Sequence, residues 1–246
     1  MILRNKSDQP ILINFNMIVL GISCYYHDSA AAVLKDGALV CAAEQERFSR
    51  KKHDSDFPID AINFCLKEAG VTIDQVDAIA FYEKPLLKFE RLLFSHIEGF
   101  PRSLPTFLKA MPSWLGTKLR LQSTIKRKLK YKGSVYYVHH HMAHAAAAFL
   151  VSPFREAAVC TSDGVGEWTT NTLGRASGNT IKLEKEIQFP HSLGLLYSTV
   201  TAYLGFSVNN SEYKVMGLSP NGDPRPYREH FRQIIDVADD GSYAFD

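Results

Sequence analysis

Cysteine is scarce in this chain: the four present, Cys24, Cys41, Cys65 and Cys160, stand far apart, and no CxxC pair occurs. That spacing excludes a disulfide scaffold and a cysteine-built zinc site, and reads as isolated thiols of a reducing compartment, the cytoplasm. A run of about 18 apolar residues is also missing, which excludes a transmembrane helix. Residues 1–16 have neither the apolar stretch nor the small-residue cleavage site of a signal peptide, so they read as an N-terminal extension. Charge of one sign is not in excess either. The 28 Lys and Arg against 26 Asp and Glu leave a net charge of +2, which calls for no polyanionic partner. The one local exception, Lys118 to Lys132, has no acidic residue. No aromatic stacking platform interleaves it, so it reads as a solvated helix face, and neither nucleic acid nor a membrane is an expected partner.

What is present is an ordinary globular composition, 246 residues of which 46% are hydrophobic, with buried runs spaced as in an α/β protein. Ile18–Ser23, Ser29–Leu34 and Ala38–Ala43 read as a three-stranded meander with Asp36-Gly37 as its tight turn. A helix from Pro58 to Ala69 stopped by Gly70 and a strand from Val76 to Tyr82 follow. Residues 84–132, with prolines at 85, 101, 105 and 112, predict short helices. A strand at Val135–Val138 and a helix at His140–Leu150 follow; a second meander begins near residue 157, with strands at Ala157–Ser162, Trp168–Leu173 and Thr180–Phe189, and a helix at about Ser192–Leu204 follows it. Two copies of strand, acidic turn, strand, strand and helix predict a duplicated α/β fold, with lobe 1 at 17–155 and the start of lobe 2 at 156–246. The second copy is short, so the chain reads as the front part of something longer.

Five places can carry chemistry. His140 and His144 stand four apart at a helix start, which puts both imidazoles on one face within reach of one ion, although His139 and His141 leave the register open. Asp163 at the end of the next strand is the nearest acidic partner. A metal hydrolase of the HExxH type is disfavoured, because Met142 and Ala143 occupy the positions where a glutamate base would be wanted. In Asp163-Gly-Val-Gly-Glu167, Gly164 and Gly166 predict a turn whose amides form an anion nest. His27 and Asp28 between two buried strands make a candidate general base and its orienting carboxylate. Arg47 and Lys52, within a charged stretch from Glu44 to Asp56, offer a cationic wall for a phosphate. Glu212 to Gly222, with Glu212, Lys214 and Gly217, reads as a nucleotide-contact loop.

Together, the run from Gly21 to Ala32 with His27-Asp28, Glu46-Arg-Phe-Ser-Arg-Lys-Lys-His53-Asp54, His140-His-Met-Ala-His144, Asp163-Gly-Val-Gly-Glu167 and Glu212-Tyr-Lys-Val-Met-Gly-Leu resemble the O-carbamoyltransferases of the nodulation and antibiotic-tailoring type. The five motifs come in the order of that family and cover about residues 17–225. The resemblance implies the duplicated actin, sugar-kinase and heat-shock-ATPase (ribonuclease H-like) fold with its second lobe incomplete here. It implies a carbamoyltransferase that uses carbamoyl adenylate, made from carbamoyl phosphate and ATP, to modify a hydroxyl of a sugar, antibiotic or other small molecule. His140, His144 and Asp163 match metal-ligand positions, with Fe(II) or another divalent metal as occupant, and Mg belongs to the adenylating domain.

That second, YrdC-like domain and a further aspartate ligand have no counterpart in this chain. A separately encoded C-terminal part is therefore an implied partner, and the chain alone is expected to be inactive with carbamoyl phosphate and ATP as donors. Ser219 and Asn221 stand where alanine and tyrosine are usual in the family. The competing expectation is a non-catalytic remnant that binds a metal or nucleotide, or pairs with a partner chain, without turnover.

Overall fold

The computed structural model describes residues 3–4, 10–11 and 17–245. The elements of its first part are β1 (Leu3–Arg4), β2 (Pro10–Ile11), β3 (Ile18–Ser23), β4 (Ala30–Lys35), β5 (Ala38–Glu44), α1 (Glu46–Ser49), α2 (Ile59–Glu68), β6 (Ala78–Phe81), α3 (Pro85–Glu98), α4 (Leu104–Ser113), α5 (Leu121–Leu129) and β7 (Ser134–Tyr137). Then come α6 (His140–Phe149), β8 (Glu156–Ser162), β9 (Thr169–Ser177), β10 (Thr180–Gln188), α7 (Leu193–Tyr203), α8 (Glu212–Leu218), α9 (Arg228–Ile234), β11 (Ile235–Val237) and β12 (Tyr243–Phe245). Apart from the antiparallel pair β1–β2, the expected extension at 1–16 lies outside the described residues. The protein is mixed α/β and divides into two compact units, Met1–Tyr82 with Ser113–Tyr137, and Glu83–Pro112 with Val138–Asp246.

The first unit is built on a five-stranded sheet of order β5-β4-β3-β6-β7. Strands β3, β4 and β5 pair antiparallel, while β6 and β7 join in parallel with β3. Period-two alternation dictates which side chains go inward: Leu20 and Ile22 of β3, Ala31 and Val33 of β4, and Ile79 and Phe81 of β6 are all buried. Ala61, Ile62, Cys65 and Leu66 of α2 and Leu121, Ile125 and Leu129 of α5 join them in one core. The β4–β5 turn has Asp36 at φ 55° and Gly37 at φ 81°, the left-handed pair that a type I′ hairpin needs. Burying Leu121, Ile125 and Leu129 leaves Lys126, Arg127 and Lys128 as the basic end of α5, so the acid-free stretch includes an amphipathic helix.

The second unit contains a three-stranded antiparallel sheet of order β10-β9-β8 and a β11–β12 hairpin at Asp239-Asp240-Gly241, where Gly241 has φ 82°. Helix α6 buries His141, Ala145 and Phe149, spaced i, i+4, i+8, against Val159 and Ala176 of the sheet. Packing on that sheet is why α6 groups with it, whereas a sequential division at 155/156 leaves α6 in the first lobe. Residues 83–112, carrying α3, also belong to the second unit. The expected loop at 212–222 is corrected too: Glu212–Leu218 is helical and a 3₁₀ turn follows at Ser219–Asn221. Gly217 and Pro220 act late, where they end the helix rather than prevent it.

Candidate functional site

In the second unit, β8 runs antiparallel to β9 up to Ser162, paired with Asn171, and Asp163 N–H continues the ladder to the Thr170 carbonyl at 2.9 Å. Asp163 is therefore held at a strand end. The α6 face that packs on the sheet includes His141; its neighbours His140 and His144 lie one residue back and thus on the adjoining face, beside Asp163. His140 Nε2 is 2.7 Å from Asp163 Oδ2 and 3.0 Å from His144 Nε2, and His144 Nε2 is 3.9 Å from the same carboxylate oxygen. The side chains are 14%, 51% and 33% exposed for His140, His144 and Asp163, so the cluster opens to solvent at His144.

One ring nitrogen, His140 Nε2, faces both Asp163 and His144. If His140 Nε2–H donates to Asp163, that nitrogen has no lone pair left for His144. Three lone-pair atoms converge on one point, as they do around a cation: ligands held about 2.0–2.2 Å from an ion lie about 3 Å from one another. The donor set, two imidazoles and one carboxylate, suits a divalent transition metal with open positions. Burial acts to raise the Asp163 carboxyl, but the hydrogen bond from His140 and the nearby His144 imidazole outweigh it and hold the group far below the usual carboxylate range.

The register ambiguity at the histidines is resolved by burial. His141 Nε2 is 2.8 Å from the Thr169 carbonyl, which only accepts, so this nitrogen is the donor; Nδ1 then accepts from Thr161 Oγ1 at 2.6 Å, and Thr161 in turn contacts Thr172 Oγ1. Burial depresses the His141 pKa and favours the neutral ring. His139 stands at the N-cap position of α6 without a side-chain cap hydrogen bond, and its ring contacts Lys84 Nζ at 2.8 Å. Neither is in the cluster of His140, His144 and Asp163.

The glycines of the 163–167 turn do different work from the expected nest. Gly164 N–H donates to Asp163 Oδ1 at 2.7 Å and Gly166 N–H to the Thr169 carbonyl at 2.9 Å, so both amides are engaged within the loop. A Cβ on Gly166 would sit 3.0 Å from His140 Cβ and 3.2 Å from His141 Cδ2, so the missing side chain makes room for imidazoles. Two residues at the start of α7, its N-cap Ser192 and Gly194, escaped the sequence reading. Ser192 donates to the Gly164 carbonyl at 2.5 Å, and a Cβ on Gly194 would lie 2.5 Å from the Asp163 carbonyl oxygen. A hydroxyl cap followed two residues later by glycine was the available signal, but the partner loop is about 30 residues upstream in sequence.

In the first unit, His27 and Asp28 do hydrogen-bond, Nδ1 to Oδ2 at 2.8 Å, although neighbours on a strand would diverge. They sit in a loop where Tyr25 has φ 69° and Asp28 φ 47°. Strained backbone of this kind costs about 1–3 kcal/mol per residue and concentrates at functional sites. Bonds from Tyr25 N–H to the Ser55 carbonyl and from Ser29 N–H to the Asp54 carbonyl hold it, at 2.8 and 2.7 Å. The same tie brings His53, unassigned from sequence, to Asp28: Nδ1 to Oδ1 is 2.9 Å. Glu46 accepts from His53 N–H at 3.0 Å, and Asp28, Glu46 and His53 form a second compact cluster. Burial acts to raise the Asp28 carboxyl, but the hydrogen bonds from His53 and His27 prevail and lower it.

The remaining expected binders are more scattered. Arg47 is paired with Glu44 at 2.9 Å and lies 3.6 Å from Glu46, while Lys52 is exposed. Glu212 accepts from Asn209 N–H and Ser198 Oγ at 2.8 and 3.1 Å, which closes its own loop; Lys214 is exposed beside Tyr213, and Gly217 has open space where a Cβ would point.

Residues 18–245 match the family described as carbamoyltransferase N-terminus. The chain is 50% identical over 233 residues to the uncharacterized protein sll1178 of Synechocystis sp. (strain ATCC 27184 / PCC 6803 / Kazusa), covering 92% of this chain and 38% of that protein. It is 35% identical over 225 residues to nodulation protein NolNO of Sinorhizobium fredii (strain NBRC 101917 / NGR234), covering 89% of this chain and 31% of the relative. The chain thus spans about a third of the length of each. Among solved structures, the ROK hexokinase from Thermus thermophilus aligns with TM-score 0.41 and 15% identity, over 86% of this chain and 72% of the other. With nearly all of its described length matched, the chain belongs to the carbamoyltransferase N-terminus family.

Proposed function

We propose that this chain is the N-terminal portion of an enzyme that transfers a carbamoyl group from carbamoyl adenylate, made from carbamoyl phosphate and ATP, to a hydroxyl of a sugar, antibiotic or other small molecule. The observation that carries the reading is the convergence of His140, His144 and Asp163 within hydrogen-bonding distances in a chain of this family. These three residues would hold Fe(II) or another divalent ion, which when bound would supply Lewis-acid polarisation of a carbonyl or phosphoryl oxygen. His27, donating its Nδ1–H to Asp28, keeps the Nε2 lone pair as a base for the acceptor hydroxyl, and Asp28 stabilises the imidazolium that results. The acceptor oxygen bonds to the carbamoyl carbon as the bond from that carbon to the adenylate phosphate oxygen breaks and AMP departs. Of the two cations assigned to the phosphate, Lys52 is exposed and takes that contact, since Arg47 is already paired with Glu44. The four free cysteines accord with a reducing, cytoplasmic setting, and among the described residues no helix is long and apolar enough to cross a membrane.

The test supplies preformed carbamoyl adenylate to the purified chain, loaded with Fe(II), and a panel of hydroxyl acceptors. Carbamate formation that disappears in His27→Ala and His140→Ala supports the reading. Turnover from carbamoyl phosphate and ATP by the chain alone contradicts the division of labour, in which adenylation belongs to a separate domain.

A further inference from the structure

Glu167 closes the loop that begins with the metal-site carboxylate Asp163, yet no role falls to it in the chemistry above. Its side chain is 5% exposed, a depth at which a carboxylate needs several partners. Those partners are backbone amides at two helix starts. Lys84 N–H, the N-cap amide of α3, donates to Oε1 at 2.8 Å, and His140 N–H, the first helical amide of α6, lies 3.1 and 3.2 Å from Oε1 and Oε2. The first amides of a helix have no partner within it, and the positive end of the helix dipole favours an anion there. Arg91 of α3 meanwhile donates to the Glu167 backbone carbonyl at 2.6 Å. The side chain of this one residue is therefore held by both helices, and its main chain by α3.

We propose that Glu167 is a positioning residue of the metal centre: it clamps the N-terminus of α6 and thereby holds the His140 and His144 rings against Asp163 of its own loop. Three geometric facts support it. The clamp acts on the backbone amide of a ligand residue itself. Asp163 and Glu167 are four residues apart on one loop, so ligand and clamp share a frame. Gly166, between them, lets the His140 ring approach to a distance that a Cβ would obstruct. The inference rests on His140, His144 and Asp163 binding a metal. It adds that their affinity is set by a group that never touches the ion, and groups of that kind typically change metal affinity about 10–100-fold when altered.

The experiment titrates the metal-free full chain with Co(II), followed by its visible d–d absorption, for the wild type, Glu167→Gln and the surface control Glu229→Gln, with folding checked by circular dichroism. Gln keeps the size but replaces one acceptor oxygen by a donor that faces amide donors. The expected result is a Co(II) affinity about 10–100-fold weaker and an altered spectrum in E167Q, with E229Q like the wild type. Equal affinity and spectrum in wild type and E167Q overturns the role of Glu167 alone. Absence of Co(II) binding by the wild type overturns the metal reading and this inference with it. Should E167Q not fold, Glu167→Asp, which withdraws the carboxylate by one methylene, reads out the same quantity: an intermediate loss of affinity supports the clamp and an unchanged affinity overturns it.

Discussion

Asp28 shows how one carboxylate can organise two imidazoles: its two oxygens take His27 and His53 from separate loops, at 2.8 and 2.9 Å. Both hydrogen bonds favour the ionised form, so the group titrates lower when folded than when unfolded. The sign for stability follows from proton counting. Above an unfolded-state pKa of about 3.9 both states are ionised and the stabilisation is complete; as pH falls through and below that value the unfolded chain takes up the proton first, and stability declines toward the lower folded pKa. Melting temperature measured from pH 6 down to pH 2 is expected to fall more steeply in the wild type than in Asp28→Asn, the two curves converging at the acid end. Parallel curves would show that Asp28 does not couple to folding. His27 and Asp28 were legible as neighbours in sequence; His53 as the second partner was not, because backbone bonds between two loops bring it there.

At the level of elements, the helices are fixed at their ends by residues distant in sequence. Gln45, 4% exposed just after β5, accepts from Asp60 N–H and Ala61 N–H at 3.2 and 3.1 Å and donates to Asp60 Oδ2 at 2.7 Å, so it caps the first turn of α2 from outside. Removing it leaves two amides of a buried helix start without this acceptor. Gln45→Ala is expected to lose about 1–3 kcal/mol of stability in urea denaturation, the range for a buried donor left unsatisfied; a change under about 0.5 kcal/mol would mean that water replaces the cap. The pattern of α2 was readable from its apolar spacing, and Gly70 marked its end. Its true N-terminal cap was not readable, because the N-cap position is Pro58, which has no side-chain acceptor, and the capping group comes from Gln45, 15 residues upstream of Asp60.

Across the molecule the two units differ in how much apolar surface they bury. Leu20, Val33, Ile62, Ile79 and Ile125 in the first unit are fully buried in one continuous core, each contributing about 1.5–3 kcal/mol. The core of the second sheet rests on Ala145, Phe149, Val159 and Ala176, two of them alanines. Its other sheet face leaves Cys160 and Leu173 exposed. Local opening is cheaper where fewer apolar contacts must be broken. Amide exchange followed by mass spectrometry is therefore expected to be slower in β3, β4 and β6 than in β8, β9 and β10. Equal protection of the two sheets would show that they unfold as one cooperative body.

Local patterns in the chain were enough to determine most elements: alternation marked β3 to β5, Asp36-Gly37 marked the hairpin, and HxxxH with a strand-end aspartate marked His140, His144 and Asp163 as neighbours. These are short-range properties, set by periodicity, turn chemistry and residue type. The tertiary structure alone decided that His140 rather than His141 turns toward Asp163, because burying the His141, Ala145 and Phe149 face on the sheet sets the rotation of α6. It also decided that Gly166 serves imidazole packing, that Glu212–Leu218 is a helix, and that residues 83–112 belong with the second sheet. Such outcomes depend on which surfaces meet in space, and contacts such as His140 with Glu167, 27 positions apart, leave no period or spacing in the sequence from which they can be read.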